Sequence, residues 1–383
     1  MREQRIHLLF ISLFLAGTLL LFLMAHRETG RVSDMENRYF EDPPQWREDD
    51  GSLNPAFFSD FDDWISDNIR MRSVMVSLNA RLQYHLFHRI TKEDERANAE
   101  GELFYVRDED IKSMQRADLL SREDLRRFTQ DLQFLQEELH REGATLYYML
   151  CPGKPTVYPE RILQGVRQTG EITVTEQVGE AVLKETDVPW IPVYETLMEY
   201  RNERNLYYRI LDPAHWNEEG IFLGHRCLID TIREDFPEIE AVNRGDYEFT
   251  QEEVYRNIYG LTYPIPEQDV HVTRSVTNAR EISLADADPA LEELLTVREH
   301  THYLVNEKAG NDRKILFVGD SYQRMYLKNL AAEHFAETLS VDSFNYDRIL
   351  EIVRLYHPDI VILENVDTEN AMTLLRLNLN AER

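Results

Sequence analysis

A serine hydroxyl becomes a useful nucleophile when a base removes its proton, and an imidazole serves best when a carboxylate fixes its tautomer and supports its charge. Two short stretches of this sequence hold those groups. One is Gly319-Asp320-Ser321, inside KILFVGDSYQRMYLKNL; the other is Asp212-Pro213-Ala214-His215, inside YYRILDPAHWNEEG, where Pro213 forces a turn between acid and imidazole. A third loop, CPGKPTVYPE from Cys151 to Glu160, is stiffened by prolines and a glycine, and Lys154 and Tyr158 would project from it. Each stretch also has a plainer reading. Gly, Asp and Ser suit strand-to-helix turns, Asp-x-x-His with Trp216 suits a capped helix start, and the proline loop suits a rigid connection.

The elements around these loops put them at one edge of a sheet. Ile315, Leu316, Phe317 and Val318 form a continuous apolar run, which suits a strand buried on both faces, and Gly319 ends it. Tyr322, Met325, Tyr326 and Leu330 then recur at helical spacing. Ser321 would therefore sit where a strand's carboxyl end meets a helix N-terminus, the place where open α/β sheets bind ligands and where free N–H groups stabilise an anion. Alternation continues with strand Thr338 to Val341, helix Tyr346 to Tyr356 and strand Ile360 to Leu363.

Upstream, apolar positions from Phe57 to Phe87 read as a helical stretch. Ser121, with Asp124 three residues on, caps a helix whose stripe is Leu125, Phe128, Leu132, Leu135 and Leu139; Gly143 closes it and ATLYYML follows as a buried strand. VPWIPVY, from Val188 to Tyr194, reads as another strand, and Asn217 caps a helix running to Phe236. From about 237 to 312 the pattern degrades into an inserted β-rich or irregular region. The expected fold class is α/β, a parallel sheet with helices on both faces.

A chain of 383 residues with 43% hydrophobic content can bury a full core. Its formal charge of −28 argues against a nucleic-acid partner, which needs clustered Lys and Arg. Leu8 to Ala25 is nearly all apolar, about 27 Å as a helix, and follows Arg2 and Arg5. That reads as a transmembrane signal anchor over 1–27 with the rest of the chain exported; a cleaved signal peptide is the alternative, disfavoured by the run's length and the lack of a small-residue cleavage site. A polar linker at 28–55 then leads to the main domain, 56–383. Cys151 and Cys227 leave a single bridge open. His300 and His302 share a strand face but lack a third ligand at a recognised spacing, so neither metal nor cofactor is expected.

Gly319-Asp320-Ser321 with Asp212-x-x-His215 resembles an SGNH-type hydrolase, whose members carry a Ser-His-Asp triad on a flavodoxin-like sheet. The motif order is permuted here, because the Asp-His block comes first. That order, with His215-Trp216, the Pro152-to-Pro159 run, ENR at 36–38 and the amino-terminal anchor, is similar to the alginate O-acetyltransferase-like branch, including the DHHW proteins. One departure stands out: Pro213 holds the position of that branch's acid, and Asp212 lies one step further back. The resemblance implies a catalytic Ser321, His215 and Asp212, with Asn365 as an oxyanion donor; Trp216 and Tyr322 could stack on sugar rings, and Lys154 and Tyr158 could contact substrate. It implies O-acetylation of an exported polysaccharide, outside the cytoplasm and beside a membrane-bound O-acyltransferase that supplies acetyl groups. Two alternatives keep the fold: an acetylesterase that uses water as acceptor, and an inactive glycan-binding or assembly protein.

Overall fold

Alternating side chains sandwich the central sheet. Strand β1 (Thr145–Cys151) sends Tyr147, Met149 and Cys151 to one face and Leu146, Tyr148 and Leu150 to the other, all buried. The second set packs against Phe128, Leu132, Leu135 and Leu139 of helix α1 (Arg122–Arg141), as the apolar stripe predicts. The first set packs against Ile221, Leu228 and Ile232 of helix α2 (Glu218–Asp235), which Asn217 caps by accepting the Gly220 N–H at 3.0 Å. Helix α3 (Ile349–Tyr356) joins α1 on the second face. Both faces are therefore covered by helices, and the sheet is buried.

Apart from a short pair within residues 255–264, the strands after β1 in chain order are β2 (Tyr247–Val254), β3 (Glu267–Arg274), β4 (Arg280–Ile282), β5 (His302–Val305), β6 (Lys314–Gly319), β7 (Glu337–Asp342) and β8 (Ile360–Val366). The computed structural model describes residues 2–369 other than 24, 27–28, 31, 34–37, 49, 71, 88, 91, 93 and 259–260, so the first two positions of the ENR motif lie outside the described residues. The main sheet runs β4-β5-β7-β6-β8-β1. Its β7-β6-β8-β1 portion is parallel, with β6 central between β7 and β8. β5 and β4 pair antiparallel, which corrects the expectation of a purely parallel sheet. These two strands come from the 237–312 region, and the three-residue β4, with exposed Arg280 and Glu281, blunts the open edge. β2 and β3 form a separate antiparallel pair.

The strand read at Val188–Tyr194 is reduced to a single bridge, Tyr148 with Trp190, before helix Val193–Tyr200 begins. Pro189 and Pro192 explain this, since neither has an N–H for a ladder. The stretch from Phe57 to Phe87 is two helices, Phe57–Asn68 and Arg72–Phe87. The amino-terminal apolar run forms helix Arg2–Leu23; among the described residues no helix is long and apolar enough to cross a membrane. Among the described residues, 94–254 and 265–369 make one compact unit, and those of 2–93 with 255–264 another. Cys151 and Cys227 are both free and buried.

Candidate active site

Ser321 owes its place to two neighbouring strands. A side chain at Gly319 would put its Cβ 2.3 Å from Glu364 Oε2 and 2.9 Å from Glu364 Cβ, so the last residue of β6 must be glycine. Glu364 Oε2 accepts the Asp320 N–H at 3.0 Å, and the Asp320 carboxylate accepts the N–H of Tyr322 at 2.8 Å and of Val366 at 2.7 Å. The turn is thereby tied to β8, and a helix opens at Ser321. That helix passes through a π-helical segment, Gln323–Leu327, into Lys328–Ala332; such segments gather at functional sites. Burial, and then the charge of Asp320, push the Glu364 carboxyl well above the ordinary range.

The base comes from a loop that folds on its own acid. Asp212 Oδ1 accepts the N–H groups of Ala214 and His215, each at 2.8 Å, a local turn compatible with Pro213 between them. Its other oxygen, Oδ2, lies 2.9 Å from His215 Nδ1; the approach is bent, so the support it gives the ring is mainly electrostatic. On the ring's far side His215 Nε2 lies 2.7 Å from Ser321 Oγ. Burial pushes the Asp212 carboxyl up, but the bonds from His215 and the Ala214 N–H outweigh it and bring the group down to about 2. Asp212 is thus charged at neutral pH and faces an imidazole that faces a hydroxyl. The two loops also hold each other, because the Tyr322 hydroxyl donates to the Ala214 carbonyl at 2.8 Å and its ring centroid lies 5.1 Å from that of His215.

A hydroxyl, a base and an acid within reach of one another, at a helix start, is an arrangement for acyl transfer. The family model of the SGNH hydrolase-like domain of the acetyltransferase AlgX matches residues 103–341. The chain belongs to that family. The fold of this AlgX-type SGNH domain is similar to that of PatB1 from Bacillus cereus, in a structure with a sulfonyl adduct, with a TM-score of 0.54 and 15% identity over 73% of this chain and 97% of that one. It is also similar to a DHHW family protein from Eubacterium siraeum, with a TM-score of 0.51 and 12% identity over 75% and 96% of the two chains. A comparison with curated protein sequences finds no match. The DHHW protein and PatB1 share the fold with this chain.

Within the AlgX-type site, the remaining sequence candidates are placed differently from expectation. Trp216 and Tyr322 are 0% and 2% exposed, and their rings pack on each other with centroids 5.3 Å apart, so neither offers a face to a sugar. Lys154 is 1% exposed; its Nζ donates to the Leu103 carbonyl at 2.8 Å and sits 4.3 Å from the Phe104 ring centre. Burial lowers it to about 8, against the pull of Glu102, Glu267 and Asp212. The Tyr158 hydroxyl is held between the Arg204 carbonyl and the Leu206 N–H. Asn365 accepts from the Tyr148 hydroxyl at 2.8 Å and donates to the Val366 carbonyl at 3.1 Å, which commits its amide to the sheet edge. These side chains shape the loops rather than the surface around Ser321.

The structure adds residues that no spacing pointed to. Asp367, just past β8, accepts the Gly153 N–H at 2.7 Å and the hydroxyls of Thr156 and Thr175 at 2.6 and 2.8 Å, pinning the proline loop. Burial raises it to about 6 against those hydrogen bonds. Arg324, one helical turn beyond Ser321, meets Asp342 Oδ2 at 2.7 Å, and His300 Nδ1 reaches the same oxygen at 2.9 Å. His302 instead meets Glu281 at 2.6 Å, so the two histidines face different carboxylates. Among the described residues Glu252, Asp269 and His271 offer metal-ligand atoms within 4.8 Å of one another, and solvated ion pairing of the imidazole accounts for that cluster.

Proposed function

We propose that this chain is a serine-dependent O-acyltransferase that acetylates an exported polysaccharide. The observation that carries the reading is the line from Asp212 Oδ2 through His215 to Ser321 Oγ, with separations of 2.9 and 2.7 Å. His215 Nε2 takes the Ser321 proton as Oγ attacks an acetyl ester carbonyl, and the bent Asp212 contact supports the imidazolium that results. The negative charge on the carbonyl oxygen falls beside the Ser321 backbone N–H at the start of the helix; one such donor is worth about 3 kcal/mol of barrier. Collapse expels the donor's alcohol, protonated by His215, and leaves an acetyl ester on Ser321. His215 then takes the proton of an incoming sugar hydroxyl, which attacks that ester; collapse releases the acetylated sugar as His215 returns the proton to Ser321 Oγ.

Family membership supports an acetyl group as cargo, and the compact triad supports turnover rather than glycan binding alone. An acetyl donor outside the cytoplasm calls for a membrane-bound O-acyltransferase as supplier. Incubating the full chain with an activated acetyl ester and a panel of polysaccharides tests the reading. Acetylated glycan is the expected product. Acetate release with no glycan acetylated points to the acetylesterase, and no reaction with the ester by a folded protein refutes the acyl chemistry.

A further inference from the structure

Glu267 is the first residue of β3, is 2% exposed, and spends its whole carboxylate on one piece of backbone. Oε1 accepts the Arg209 N–H at 2.7 Å, while Oε2 accepts those of Ile210 at 3.0 Å and Leu211 at 2.9 Å. Three successive N–H groups converging on one anion is a rare local geometry that fixes three peptide planes at once. The next residue is Asp212. At the far end of the same loop, Glu218 opens α2, and its Oε2 accepts the Val272 N–H, also from β3, at 2.6 Å. One strand of the β2–β3 pair thus holds the chain immediately before Asp212 and shortly after His215.

We propose that Glu267 is a positioning residue for catalysis, through which the β2–β3 pair sets the height of the Asp212–His215 loop against Ser321. The inference rests on the acyl-transfer reading above. Other contacts also hold the loop, the Tyr322 hydroxyl on the Ala214 carbonyl at 2.8 Å and Arg209 Nε on Glu102 at 2.7 Å among them, but it is Glu267 that receives the N–H groups of 209–211. Tyr208 N–H donates to the His215 carbonyl at 3.2 Å and the Leu103 N–H to the Arg209 carbonyl at 2.7 Å; neither satisfies the N–H groups of 209–211. Without the carboxylate the three peptide planes lose their shared anchor, and a displacement near 1 Å at a reacting centre costs about a hundredfold in rate. Glu267 bonds to backbone rather than to Ser321, His215 or Asp212, so its loss reaches the triad through the placement of the loop.

The test uses the full chain and its Glu267→Gln variant, isosteric but neutral, whose amide must aim an N–H at a backbone N–H. With an acetyl ester probe, kcat is expected to fall about a hundredfold with KM within about twofold, and labelling of Ser321 by a sulfonyl fluoride to slow in step. Hydrogen exchange of the peptide containing Arg209, Ile210 and Leu211 is expected to accelerate while that of β6 and β8 does not. Rates are normalised to the folded fraction, and Glu267→Asp, which keeps the charge but withdraws it by one methylene, is measured alongside should the amide variant fold poorly; a smaller loss is expected there. A kcat loss that vanishes on normalisation, or unchanged exchange at 209–211 in a folded variant, overturns the positioning role. A parent chain that fails to react with either probe refutes the acyl reading instead, and the catalytic inference with it.

Discussion

Asp212→Asn separates the turn from the charge. The asparagine carbonyl can still accept the N–H groups of Ala214 and His215, both 2.8 Å from Oδ1, so the loop keeps its shape. Its amide nitrogen, however, replaces the charged oxygen 2.9 Å from His215 Nδ1 and turns an N–H toward the ring in place of a negative charge. The ring then carries its proton on Nε2, facing Ser321 Oγ across 2.7 Å with no lone pair to offer. Loss of a base in this way costs about 10⁴ in kcat. Stability changes too. Asp212 falls from an ordinary 3.8 to about 2 in the fold, a depressed pKa whose stabilisation, about 2 kcal/mol, is fully present above the unfolded value and disappears as pH falls through the folded one. Denaturant melts of both proteins should therefore differ by about 2 kcal/mol at neutral pH and converge between about pH 4 and pH 2. Steady-state turnover of an acetyl ester with sulfonyl fluoride labelling gives the catalytic half of the result. Activity within about tenfold of the parent would show that Asp212 does not orient the base and that Pro213 marks a real loss of the family's acid.

Gly319→Ala drives a methyl into Glu364 and should destabilise the domain by about 1–3 kcal/mol in a denaturant melt; adding Glu364→Ala should return part of that, and strict additivity would contradict the contact. Tyr322→Phe removes only the bond to the Ala214 carbonyl, so about 1 kcal/mol of stability and a few-fold of kcat should go while acceptor KM holds; a large acceptor KM effect would restore the sugar-stacking role. Leu135→Ala in α1 should cost about 2–5 kcal/mol by thermal or urea unfolding, with the labelling rate of the folded protein unchanged.

Local pattern carried the fold as far as local pattern can. The α1 stripe, the β1 and β6 runs and the Asn217 cap read directly, because each is written in residues a few positions apart. The antiparallel β4 and β5 did not, since three- and four-residue strands carry too little alternation. At Val188–Tyr194 the apolar run outweighed the prolines in the reading, and the prolines won in the structure. The meeting of His215 with Ser321 was legible as motif chemistry. What Lys154, Trp216 and Tyr158 do was not, because residue type alone cannot say whether a polar or aromatic side chain faces the site or the layer beneath it. Glu267 and Asp367 had no signal at all: each acts on backbone more than fifty positions away, and only the folded chain brings them there.

The central claim is covalent, so mass decides it. Acid-quenching the full chain with an activated acetyl ester, then mapping peptides, should find one acetyl group on Ser321, absent in Ser321→Ala and strongly reduced in His215→Ala. An unmodified Ser321 during active turnover, or undiminished turnover by Ser321→Ala, would contradict the acyl-serine mechanism.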